Sequence, residues 1–185
     1  MALLSLPIAL FALTATAYLV ACVLFVAYLS GRLVGTASLK WAARLVGAGA
    51  LLHATHIIVT SLVLNICPIR GMHFAMSVVS VLACAVYVVM RLKYPIDVLG
   101  AFFAPVALTF LLASQVIGTT SAEGPDEGMK SAILPIHIVV NLLGEALFLL
   151  AFAAAVAYLV QENQLRSKKL GGIMQRLPPL DALDR

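Results

Sequence analysis

Ile133-Leu-Pro-Ile-His137-Ile-Val-Val-Asn141-Leu-Leu-Gly-Glu145-Ala-Leu-Phe-Leu-Leu-Ala-Phe-Ala-Ala-Ala-Val-Ala-Tyr-Leu-Val160 is an apolar run long enough to cross a bilayer, interrupted by His137, Asn141 and Glu145. It leads into a basic tail, Gln164-Leu-Arg-Ser-Lys-Lys-Leu-Gly-Gly172. A charge held at mid-bilayer costs on the order of 3 kcal/mol or more, so polar groups in such a helix need partners. The candidates within this chain are the other apolar segments.

A window of about 20 apolar residues spans a membrane as a helix. Five windows qualify: 6–29, 39–64, 73–90, 96–117 and 133–160. Ser30-Gly31, Cys67-Pro68, Tyr94-Pro95 and the polar loop Gly118–Ser131 separate them. Hydrophobic residues make up 63% of the chain and charged residues 11%, a balance no soluble domain can bury. The fold class is therefore all-α, a polytopic bundle over residues 1–160 followed by a basic cytoplasmic tail over 161–185. The first run has no basic residue ahead of it and exceeds a signal peptide's apolar region, so it reads as a retained span.

Lysine and arginine gather on one side. Arg32, Lys40, Arg44, Arg91, Lys93, Arg166, Lys168, Lys169, Arg176 and Arg185 alternate with a side that holds Arg70, Lys130, Glu123, Asp126 and Glu127. Basic loops stay in the cytoplasm, which predicts an outer N-terminus and a cytoplasmic C-terminus. The positive charges flank apolar runs and so point to anionic lipid rather than nucleic acid. The tail anchors on lipid or docks a cytoplasmic partner. Cys22 and Cys84 fall mid-helix, where a small weakly polar residue packs, and Cys67 falls in a loop with no partner in view. Small residues in the second span (Ala42, Ala43, Gly47, Ala48, Gly49, Ala50) and in the fifth (Ala151, Ala153, Ala154, Ala155) predict close helix packing.

All four histidines lie in spans or at their ends. At about 1.5 Å of rise per residue, His73 sits near the outer surface, His137 about 6 Å deep, His56 about 12 Å and His53 about 16 Å. The i, i+4, i+8 spacing of His137, Asn141 and Glu145 puts them along one face, level with the histidines of the second span. One reading is interhelical hydrogen bonding that holds the bundle together. The sharper reading is a haem b site, because neutral imidazole is a common axial ligand and bundle cores house such cofactors. His53 and His56, three residues apart, cannot both be axial to one iron. One ligand is expected from His53, His56 or His73 and the other from His137, with Asn141 and Glu145 as hydrogen-bonding or proton partners. There is no zinc-type ligand spacing, and no motif for nucleophilic catalysis or for phosphate or dinucleotide binding. The chain reads as a handling or assembly factor rather than a catalyst by itself.

The tail Tyr158-Leu-Val-Gln-Glu-Asn-Gln-Leu-Arg-Ser-Lys-Lys-Leu-Gly-Gly172 with Arg176-Leu-Pro-Pro-Leu-Asp-Ala-Leu-Asp-Arg185 resembles the cytochrome c assembly protein family, nearest its HemX-like branch. Leu51-Leu-His53-Ala, Arg91-Leu-Lys-Tyr-Pro-Ile-Asp-Val-Leu-Gly100 with Phe103 and Pro105, and His137-Ile add to the resemblance, which covers nearly the whole chain. It implies haem handling in cytochrome c biogenesis or in control of haem synthesis, in a bacterial cytoplasmic membrane, with His53 and His137 most like the family's membrane histidines. The synthase branch carries a tryptophan-rich outer loop, whereas the one tryptophan here, Trp41, falls on the cytoplasmic side, which argues against haem attachment by this chain alone. Family members usually continue with further spans, so the expectation is a short form or a bundle completed by another subunit. The competing readings are a haem b electron-transfer or quinone-linked subunit and a structural subunit without haem.

Overall fold

The computed structural model describes residues 2–33, 35–64, 71–117 and 133–167. The fold is all-helical, with no strand among the described residues. Helices α1 (Ala2–Leu29), α2 (Thr36–Leu64) and α3 (Gly71–Lys93) are followed by a 3₁₀ turn, Asp97–Leu99, then α4 (Gly100–Ile117) and α5 (Ile133–Arg166). All five are long and apolar enough to cross a membrane. The Cys67 loop, the acidic loop 118–131 and the chain beyond 167, with Lys168, Lys169 and Arg176, lie outside the described residues.

The breaks follow from local chemistry. Gly31 (φ 82°) and Gly35 (φ 114°) take the left-handed backbone that ends α1 and starts the turn into α2. Pro95 keeps Tyr94 out of the helix, so α3 stops and the 3₁₀ turn re-enters as α4. That corner is tied twice. The Tyr87 hydroxyl donates to the Asp97 carbonyl at 2.8 Å, and Arg91 Nε donates to the Asp97 carboxylate at 2.7 Å.

Helix α1 packs chiefly on α2 and α3 on α4, and contacts of α1 with α4 and of α2 with α3 close a four-helix core. The buried stripe of α2 runs Ala42, Val46, Gly49, Ala50, His53, His56, Ile57 and Thr60, so the small residues that admit α1 also turn both histidines inward. Gly49 is the close-approach point, because a Cβ there would stand 2.7 Å from the Tyr18 ring. The stripe of α3 is His73, Ser77, Ser80, Cys84 and Tyr87. Helix α5 leans mainly on α3 through Ala146, Ala153 and Ala157, and only 11% of its span is buried, against 22–44% for the others.

Gly100 sits under Phe25 and the Tyr87 hydroxyl, with no room for a Cβ. Gly100→Val is expected to overpack this corner by about 1–3 kcal/mol or more. A thermal melt of the purified protein in detergent should show a lowered midpoint, with no lowering for Gly47→Ala, whose Cβ meets only Val88 at an ordinary 3.5 Å.

Candidate functional site

Three of the four histidines gather at one end of the core, where α1 begins, α2 ends, α3 begins and α4 ends. His56 and His73 line one cavity of about 210 Å³ together with Pro7, Phe11, Thr60 and Gln115. None of the cavity's lining residues carries a formal charge apart from what the two imidazoles take up. His53 lies one turn deeper, fully buried, its ring 6.4 Å from that of His56.

Each imidazole is oriented by its Nδ1. His56 Nδ1 stands 3.1 Å from the Pro7 carbonyl oxygen, and the Thr60 hydroxyl is 3.4 Å from the same nitrogen. His73 Nδ1 is hydrogen-bonded to the Ser114 carbonyl. A carbonyl only accepts, so both Nδ1 atoms must donate. Ser114 is in the last turn of α4, where carbonyls lack helical partners, which explains why an imidazole is taken up there. With Nδ1–H committed to a carbonyl, Nε2 keeps its lone pair, the form in which histidine binds a metal. His53 is held more loosely. Its Nδ1 is 3.5 Å from the Tyr18 hydroxyl, and its Nε2 is buried without a hydrogen-bond partner. An orphaned buried nitrogen is costly, and it marks a place where a ligand atom is missing or strain is tolerated.

His137 stands elsewhere. It is exposed on α5, hydrogen-bonded to Asn141 (Asn141 Nδ2 to His137 Nε2, 3.0 Å), and is not among the residues lining the cavity. Asn141 and Glu145 are exposed as well, Glu145 at a shallow cleft with Met72, Met76 and Phe110. The matched polar rungs expected between α2 and α5 are thus not formed within the chain. The physical reason lies in α5 itself. Its alanines permit the closest approach to α3, and the turn of the helix then carries His137 and Asn141 to the other side and leaves Glu145 on the flank.

Several contributors escaped the sequence. Tyr18 and Thr60 are polar residues in apolar spans and were visible in principle. Pro7 and Ser114 act through backbone carbonyls, which leave no trace in side-chain chemistry. Among the described residues no three His, Cys, Asp or Glu side chains converge to hold a bare metal ion. Two imidazole lone pairs suit an iron whose equatorial ligands come from a porphyrin. The donor set therefore fits haem. The cavity is open on one side, and its volume of about 210 Å³ lies below the roughly 300–1,000 Å³ of common ligand pockets, so it has to widen to admit one.

The Nδ1 contacts generate a contrast. His73→Leu leaves the Ser114 carbonyl unpartnered and should destabilise by about 1–3 kcal/mol. His53→Leu removes an orphaned nitrogen and should leave the detergent melting midpoint unchanged or raised.

Comparison with known proteins bears on this geometry. A model of the cytochrome c assembly protein family matches residues 66–185, which takes in His73, His137, Asn141 and Glu145 and begins after His53 and His56. Searches of the curated proteins and of the solved structures found no match.

Proposed function

The chain belongs to the cytochrome c assembly protein family, and from that premise we propose that it is a haem-binding, multi-pass membrane protein acting in cytochrome c biogenesis or in the control of haem synthesis. One observation carries the haem reading: two imidazoles on different helices share a cavity, each with Nδ1 tied to a carbonyl and Nε2 left with its lone pair. His56 and His73 are the iron ligands in this proposal, and His53, with its unpartnered Nε2, is the ligand or proton acceptor one turn deeper. A haem b held there supplies a redox-active or transferable iron porphyrin.

The residues around it have separate tasks. Thr60, 3.4 Å from His56 Nδ1, and the Pro7 carbonyl fix the ring plane of His56. Tyr18, its hydroxyl 3.5 Å from His53 Nδ1, restrains that ring only weakly. Phe11, whose ring lies 6.0 Å from that of His56, and Ile8 line the cavity and limit water. Gln115 offers an amide toward a polar edge group such as a propionate. In this reading, which the charge bias supports, this end of the bundle faces the outside of a bacterial cytoplasmic membrane, with Arg91, Lys93 and the basic tail inside. Haem held here is on the side where cytochrome c is assembled. The tail beyond the bundle remains, in this reading, a lipid anchor or the contact for a cytoplasmic partner.

An absorption spectrum of the protein purified from haem-replete cells tests the proposal. A Soret band is expected. His56→Ala and His73→Ala should each weaken haem retention at least tenfold, about 1.4 kcal/mol, while His137→Ala retains it. A folded but colourless protein, or a band unchanged in the His56→Ala/His73→Ala double variant, overturns the assignment.

A further inference from the structure

His137 and Asn141 on α5 have no partner on another helix among the described residues, and the order of residues along their face is regular. His137, Asn141, Gly144, Phe148, Ala151 and Ala155 follow one another at alternating spacings of four and three. That is the heptad seam of a left-handed helix pair. On a 3.6-residue turn it lies opposite Ala146, Ala153 and Ala157, the stripe buried against α3. We propose that this seam pairs with the same seam of a second copy of the chain, parallel, about a two-fold axis along the membrane normal.

Identical chains insert with the same topology, so two copies can meet only side by side with α5 running the same way. A two-fold contact must then be self-complementary, each residue meeting the same patch on the partner. The His137–Asn141 pair satisfies that requirement. With Asn141 Nδ2 giving one of its two hydrogens to His137 Nε2, the pair still presents an acceptor, Asn141 Oδ1, and two donors, the second Asn141 N–H and His137 Nδ1–H. If the amide is turned and the tautomer reversed, both amide hydrogens remain as donors and His137 Nδ1 as an acceptor. Either way a second copy offers the complement of each. Lipid offers neither, and polar groups facing hydrocarbon without partners are the situation membrane helices avoid.

The rest of the seam fits a close crossing. A Cβ at Gly144 would meet nothing within 4 Å, so a flat notch lies open on this face. Phe148, 75% exposed, is one turn below it and fills the notch of the other copy. Ala151 and Ala155 continue the seam with small side chains that let the two backbones approach. Asn141 in a seam of otherwise apolar and small residues also fixes the register, since a shift by one turn leaves its amide against hydrocarbon. Glu145, next to Gly144, borders the seam and loses exposure to lipid when the copies join.

Disulfide trapping in native membranes tests this, in a full chain with Cys22, Cys67 and Cys84 changed to serine or alanine. Ala151→Cys is expected to give a cross-linked species of twice the 19.6 kDa chain mass on mild oxidation. Ile58→Cys, an exposed position on α2, should give at least tenfold less. Asn141→Leu and Gly144→Leu, added to Ala151→Cys, should each lower the cross-linked fraction at least fivefold with an unchanged helical circular dichroism spectrum. Light scattering of the purified protein should return the dimer mass for the native sequence and the monomer mass for Gly144→Leu. No homodimer at Ala151→Cys, equal trapping at Ile58→Cys, or trapping only to a protein of a different mass overturns the proposal.

Discussion

Two hydrogen bonds from imidazoles to backbone carbonyls, His56 to Pro7 and His73 to Ser114, set the character of this bundle. In hydrocarbon a polar nitrogen without a partner is costly, and a helix lends its carbonyls only where its own ladder ends or bifurcates. Ser114 lies in the last turn of α4 and Pro7 inside the second turn of α1, and each bond locks a ring into the tautomer that leaves Nε2 free. The orientation of both rings at the cavity follows from that pair of contacts.

The core beneath them is built from small residues and a few large aromatics set against glycine. Tyr18 closes on Gly49, and Phe25 and Tyr87 close on Gly100. Tyr87 and Phe103 stack at 5.3 Å between α3 and α4. In lipid the apolar effect does not distinguish inside from outside, so shape decides the packing. Helix α5 shows the same rule from the other side, for its alanines select the buried face although its polar residues lie elsewhere.

Much of the architecture was legible from residue order. All five spans, the breaks at Ser30-Gly31 and Tyr94-Pro95, and the kinship read from the tail and from Arg91 to Gly100 could be seen in the chain. The clustering of His53, His56 and His73 was half legible. Depth estimates put them at one end, but nothing showed that Pro7 and Ser114 would orient the rings. The direction faced by His137, Asn141 and Glu145 was not legible. The sequence marks them as one stripe of a helix, and periodicity cannot say whether that stripe meets its own bundle or another molecule, because the remaining positions of the span 133–160 are apolar all round.

The two cavity histidines belong to different helix pairs. His56 is bonded within the α1–α2 pair and His73 within the α3–α4 pair, so neither bond has to break if the pairs separate. At the far end Phe25 of α1 is wedged against Gly100 and Tyr87 of the other pair, and Arg91 and Asp97 brace the corner beside them. The cavity is thus walled by two separately fastened halves, so the loss of one fastening leaves the other ring in place.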